Sequence, residues 1–196
     1  MPRLVRQSTP ALVILVILAF VAGCDPRSDP IIPRGAGFQQ AANGELLIWF
    51  GEPCRDVVEV ELGFRRDSDD KQPLTYVLRA PGYIPSTELP AVAPSRGSGI
   101  TSLRGLTLGS PVPGLRAESP LPAQFDWRDF YSVELLVKTS GGQGATYLIT
   151  QDLTKESKDH PGEFYVQDQG WFDKGAFTKA DGGDFKAICS SINPPS

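Results

Sequence analysis

The chain predicts an all-β protein, a two-sheet antiparallel sandwich with long Pro- and Gly-rich loops. Three observations carry that prediction. Short apolar segments alternate with polar residues at a period of two, as half-buried strands do. Twenty glycines and 18 prolines in 196 residues supply turns at close intervals. No stretch of three helical turns has the apolar spacing of a helix laid on a core.

The chain opens with a segment that is an address rather than part of the fold. Arg3 and Arg6 give it a positive start, and residues 11–22 are all apolar, the length of a secretory signal core and too short to span a bilayer. The run closes on Val21-Ala22-Gly23-Cys24. These four residues resemble the lipobox of bacterial lipoprotein precursors. That resemblance implies a signal peptide over residues 1–23, cleavage before Cys24, and a diacylglycerol on the Cys24 sulfur with further acylation, palmitate-like, of the new terminus. Two acyl chains hold a protein on a membrane where one is marginal, at about 0.8 kcal/mol per buried methylene. It also implies the extracytoplasmic face of the cell membrane, and Asp25 after the lipidated cysteine is similar to an inner-membrane retention signal of enteric-type envelopes. Residues 24–44 hold three prolines and little periodicity, which predicts a lipidated flexible tether ahead of one domain over residues 45–196. As a random coil such a tether reaches about 25 Å.

Within the domain, residues 46–50 are a continuous apolar run suited to a strand buried on both faces. Val58, Val60, Leu62 and Phe64 alternate with Glu59, Glu61 and Gly63, which predicts one apolar face on the core and one acidic face in water. A polar turn over residues 65–73 leads to Leu74, Tyr76 and Leu78 at the same period. Val133, Leu135 and Val137 alternate with Glu134 and Lys138, and residues 140–144 turn the chain into a second arm over residues 146–150, a hairpin. Weaker strands are expected within residues 100–108, 163–167 and 185–189, and one or two helical turns within 152–159. Residues 80–98 and 109–124 each contain four prolines and cannot lie in mid-sheet. They read as coverings over an open sheet edge, with binding loops as the alternative. Seven or eight short strands suggest an immunoglobulin-like architecture, with an open barrel as competitor.

With Cys24 assigned to lipid, Cys54 and Cys189 remain, and outside the cytosol they are expected to form a disulfide joining the two ends of the domain. An immunoglobulin disulfide joins two strands of the sandwich across a tryptophan, so the resemblance is architectural only. Removal of residues 1–23 takes Arg3 and Arg6 and no acid, which moves the net charge from −4 to −6. That balance argues against nucleic acid and against electrostatic attachment to anionic lipid, leaving the membrane contact to the lipid on Cys24.

Few residues of the chain carry a recognisable catalytic pattern. His160 is the sole histidine and sits in a polar turn, no nucleophile-elbow motif surrounds any serine, and no glycine-rich phosphate cradle opens a helix. One histidine and two paired thiols leave a zinc site without ligands, so no cofactor is expected. The acidic groups Asp67, Asp69, Asp70 and Asp181, Asp184 have the oxygen chemistry for calcium but read as turns. Aromatic residues give the positive hint. Phe125, Trp127 and Tyr131 share a face if that segment is extended, and Trp171 is flanked by turn residues. Such side chains anchor partners with large rigid area. The expectation is a noncatalytic module that binds an envelope protein or polysaccharide through Trp171, Trp127 and Tyr131. An envelope-glycan hydrolase using paired carboxylates and a carrier of an apolar ligand between the sheets are the alternatives.

Overall fold

The protein is described here by a computed structural model that covers residues 34–85 and 102–190. Cys24, the signal segment and the first part of the tether lie outside the described residues. The chain enters through β1 (Arg34–Gly35) and β2 (Gly37–Gln40), which pairs antiparallel with β3 (Leu46–Cys54). The expected tether therefore stops short of residue 44. Ala36 and Phe38 are fully buried, and the domain has already begun at Arg34.

β3 crosses to β4 (Val57–Arg65), which forms a hairpin with β5 (Leu74–Arg79) in the other sheet. The chain returns through β6 (Leu103–Thr107) beside β3, then adds β7 (Arg116–Ala117) at the edge of β5. A single 3-10 turn at Trp127–Asp129 precedes the hairpin of β8 (Ser132–Thr139) and β9 (Gly142–Ile149). Helix α1 (Thr150–Glu156) leads to the hairpin of β10 (Phe164–Val166) and β11 (Gly170–Phe172). Helix α2 (Lys174–Ala180) and β12 (Lys186–Ala187), which pairs parallel with β1, complete the described chain.

The result is a two-sheet antiparallel sandwich. One sheet has the order β11-β10-β2-β3-β6 and the other β7-β5-β4-β8-β9. The order β2-β3-β6 against β5-β4-β8-β9 matches strands A-B-E against C′-C-F-G of an immunoglobulin-like sandwich, with β10 and β11 extending the first sheet beyond the A position. Cys54 ends β3 and is bonded to Cys189, 135 residues later, with Cα atoms 4.9 Å apart. The bridge thus ties the B-like strand to the C-terminal segment rather than to its F-like counterpart.

The space between the sheets is filled by side chains. Phe38, Leu46, Ile48 and Phe50 from the first sheet meet Val60, Leu62, Phe64, Val133, Leu135, Val137 and Leu148 from the second. The alternation in β4 holds from Val60 onward. A bulge sets Val57 against Thr139 and Glu59 against Lys138, so that Val57 joins the same core. The expected acidic face of β4 does not lie in water at its start, because Glu59 is only 2% exposed. Its flanking strands supply the reason: Arg79 on β5 and Lys138 on β8 both pair with it. Nor is β3 buried on both faces, since Leu47 and Trp49 are half-buried.

The β8–β9 turn is tighter than expected, with Ser140 and Gly141 between the arms and Gly142 and Gly144 already in β9. Gly144 is required there, because a Cβ would stand 2.8 Å from the Ile188 carbonyl oxygen where the C-terminal segment lies against the strand. Residues 109–124 cover as expected. β7 caps the edge of β5, Val112 and Leu115 are buried, and Leu121 packs on the core.

Helix α2 was not anticipated from sequence. Its seven residues bury only Phe177, too few for a periodic signal, and Asp173 caps it by accepting from Ala176 N. Phe177, Phe185, Val166 and Ala187 form a second small core against Trp49 and Phe172. Trp49 alternates with Ile48 and Phe50, so this cluster lies on the outer side of the first sheet.

Candidate functional site

Two aromatic surfaces emerge from this frame. The first is built by α1 and the β10–β11 hairpin. Thr150 starts α1 with its hydroxyl donating to the carbonyls of Phe130 and Tyr131, which fixes the helix to the segment before β8. The helix carries Asp152 and Glu156, the following turn carries His160 and Glu163, and the hairpin carries Tyr165 opposite Trp171.

The Trp171 indole is held on several sides. His160 stacks on it with centroids 4.4 Å apart and planes 5° from parallel, and Tyr165 packs at 5.2 Å. Trp171 Nε1 donates to Glu156 Oε2 at 3.3 Å, and His160 Nδ1 lies 2.7 Å from Glu163 Oε2. Beside this group, Gln167 links two acids, donating to Asp152 and Asp168 at 3.1 Å each while its carbonyl accepts from Ile149 N. Asp168 adopts a left-handed φ of 63°, which places it at the corner of the hairpin, where its carboxylate accepts from the Tyr147 hydroxyl at 2.9 Å. That hydrogen bond is the main reason the Tyr147 phenol titrates above its usual range. Tyr165 is also shifted up, first by burial and then by the charges of Asp152, Asp168 and Glu156.

The cluster is therefore an aromatic platform edged by carboxylates that accept hydrogen bonds. Among the described residues no group of three or more His, Cys, Asp or Glu side chains is arranged to hold a metal ion. Of the acids read as turns, Asp67, Asp70 and Asp181 are engaged in their own loops, Asp67 accepting from Asp69 N. Asp70 accepts from the backbone N–H groups of Arg66 and Gln72, which holds its pKa below the usual carboxylate range. Asp181 accepts from Ala187 N and from the Ser190 hydroxyl.

The aromatic residues singled out in the sequence fall in three different places. Trp171 is half-buried in the platform. Trp127 is a correction: it is 3% exposed, packs in the main core, and donates from Nε1 to the Gly44 carbonyl at 2.9 Å. The segment around it is not extended, because Asp126 caps the 3-10 turn, so Phe125, Trp127 and Tyr131 share no face. Phe125 packs on Phe64 and Phe130 instead. Tyr131 is 38% exposed beside the start of α1.

Sequence reasoning missed the second surface. Trp49 sits on the outer face of the first sheet with Lys174 Nζ 4.8 Å from its ring centroid. Its place inside a continuous apolar run hid it, and the only available signal was a tryptophan at the odd position of a strand. Compared with protein-family models, with curated proteins and with solved structures, the chain matches none.

Proposed function

We propose that the protein is a noncatalytic, lipid-anchored binding module on the extracytoplasmic face of a cell membrane, which holds an envelope protein or polymer at the surface formed by Trp171, Tyr165 and the carboxylates around them. The observation that carries the reading is the fixed Trp171 platform: a half-buried indole that packs on the core from one side and is oriented by His160 and Glu156 offers the large, rigid, amphipathic area on which partners anchor. Location rests on the lipobox-like residues ending in Cys24.

The binding half is tested by crosslinking in intact cells followed by mass spectrometry. A defined partner is expected with the native chain, and Trp171→Ala should lower its recovery about tenfold, the effect of losing one aromatic anchor, while far-ultraviolet circular dichroism shows that the variant keeps its sheets. Recovery unchanged by Trp171→Ala would remove the reading. The anchor is tested by the mass of the N-terminal peptide: it should begin at Cys24 and carry acyl chains, and Cys24→Ala should leave the protein uncleaved. A native chain that keeps Met1 and no fatty acid defeats the anchor without touching the platform.

A further inference from the structure

The outer face of the first sheet carries a groove of ≈ 400 Å³, within the range of small-molecule sites. Its floor is Leu47, Trp49, Gly105 and Thr107, and one wall is the proline-rich segment from Ser110 to Pro113. Trp49 is registered against a glycine on each side, Gly37 on β2 and Gly105 on β6, so no neighbouring Cβ crowds the indole. Gly105 can carry no side chain, since a Cβ would stand 2.3 Å from the Ile48 carbonyl oxygen.

Charge makes this groove unlike the rest of the molecule. The chain as a whole is net −4, yet the residues lining the groove include two cations, Arg104 and Lys174, and no Asp or Glu. Neither cation forms an ion pair with a described residue. Lys174 instead rests over Trp49 at 4.8 Å and near Phe164 at 6.0 Å. The Trp49 Nε1–H is buried and has no acceptor among the described residues, an uncommon state for a buried donor.

We propose that this groove binds an acidic sugar, with its carboxylate received by Lys174 and Arg104 and its ring seated on Trp49. An ammonium over an aromatic face is held more weakly than one in a charge-assisted hydrogen bond. An arriving carboxylate therefore draws Lys174 from the ring and bares the indole for the apolar C–H face of the sugar. Thr107 and Ser110 provide hydroxyls for the sugar's own hydroxyl groups, and the unpartnered Trp49 N–H at the edge of the same indole is one more donor. Two cations suit a uronic acid and fall short of the basic stripe that a nucleic acid needs.

The test is titration of the full-length protein with two probes, a galacturonate trimer and a glucuronate oligosaccharide, followed by calorimetry and tryptophan fluorescence. At least one is expected to saturate. Lys174→Gln and Arg104→Gln should each weaken it about tenfold, as should methyl esterification of the sugar, because each removes a charge-assisted contact. Trp49→Phe keeps the ring and removes the N–H; it should weaken binding and abolish the fluorescence change. Trp171→Ala should leave this binding untouched, which separates the groove from the platform. The proposal is overturned if neither sugar saturates, if the methyl ester binds equally well, if the two cation variants bind as the native protein does, or if an acidic peptide binds more tightly than either sugar.

Discussion

Glu59 and Arg79 stand directly opposite each other on β4 and β5, and the Arg79 guanidinium Nε donates to Glu59 Oε2 at 2.8 Å. On the other side Lys138 reaches the second carboxylate oxygen, so one nearly inaccessible acid is shared by two cations that are 20% and 26% exposed. Burial works to lower the Lys138 pKa, and the hydrogen bond and charge of Glu59 outweigh it, leaving the ammonium raised. Glu59→Gln removes the charge but keeps the shape, and should cost about 1–3 kcal/mol, less than a fully enclosed pair because both cations reach water. Replacing all three with apolar residues of similar volume should be close to neutral. Urea denaturation of the single and triple variants checks both.

The bond between Cys54 and Cys189 closes a loop of 135 residues. Its removal by Cys54→Ser with Cys189→Ser should cost up to about 5 kcal/mol by loop-closure entropy, and less where the unfolded chain keeps structure. Hydrogen exchange should show the loss first at β1 and β12, whose two-residue pairing the bridge supports.

Two strand glycines should respond in opposite directions to alanine. At Gly105 the new Cβ meets the Ile48 backbone, which cannot yield without moving β3, so Gly105→Ala should destabilise by more than about 2 kcal/mol. At Gly63 the nearest atom is 3.7 Å away on the Glu134 side chain, and Gly63→Ala should gain about 0.5–1 kcal/mol from lower unfolded-state entropy. Thermal midpoints of the two variants, one lowered and one raised, check the pair.

Stability should fall at both ends of the pH scale for separable reasons. Tyr147, Tyr165 and Lys138 all have raised values, so the folded chain holds these protons more tightly than the unfolded one. Their contribution is complete below about pH 10 and is lost as pH rises through the folded values. Tyr147→Phe should remove part of that alkaline loss. Asp126, lowered chiefly by its hydrogen bond with Arg128, works the other way. Its contribution is present above about pH 4 and disappears as pH falls through the folded value. Denaturant midpoints measured from pH 3 to pH 12, on the scale of these reference values, test each limb.

The strands legible from alternation are those in which it runs for six residues or more, β4, β5 and β8, because period two needs length to stand out, whereas β3 is legible from its continuous apolar run and β9 from the glycine-rich turn that leads into it. β2 was hidden by having Phe38 as its single large apolar residue among glycine and glutamines. The burial of Glu59 was hidden for a different reason: its partners lie 20 and 79 residues away, and nothing local distinguishes it from Glu61. Trp171 was flagged by the turn residues around it, whereas its stacking on His160 depends on a reversal of the chain between them. Trp127 misled because Asp126 starts a 3-10 turn where an extended segment was expected.

The covalent ring from Cys54 to Cys189 also determines how the molecule answers a mechanical pull. Tension arriving from the direction of residue 33 unzips β1 and β2 and then draws on β3, until it meets the bridge at its far end. About 20 residues can be paid out this way, an extension of roughly 70 Å when fully stretched. Beyond that point a load carried to the chain past Cys189 runs through sulfur, and the residues between the two cysteines are shielded from stretching. Pulled between Arg34 and Cys189, the domain would lengthen by a fixed stroke and then behave as a solid stop.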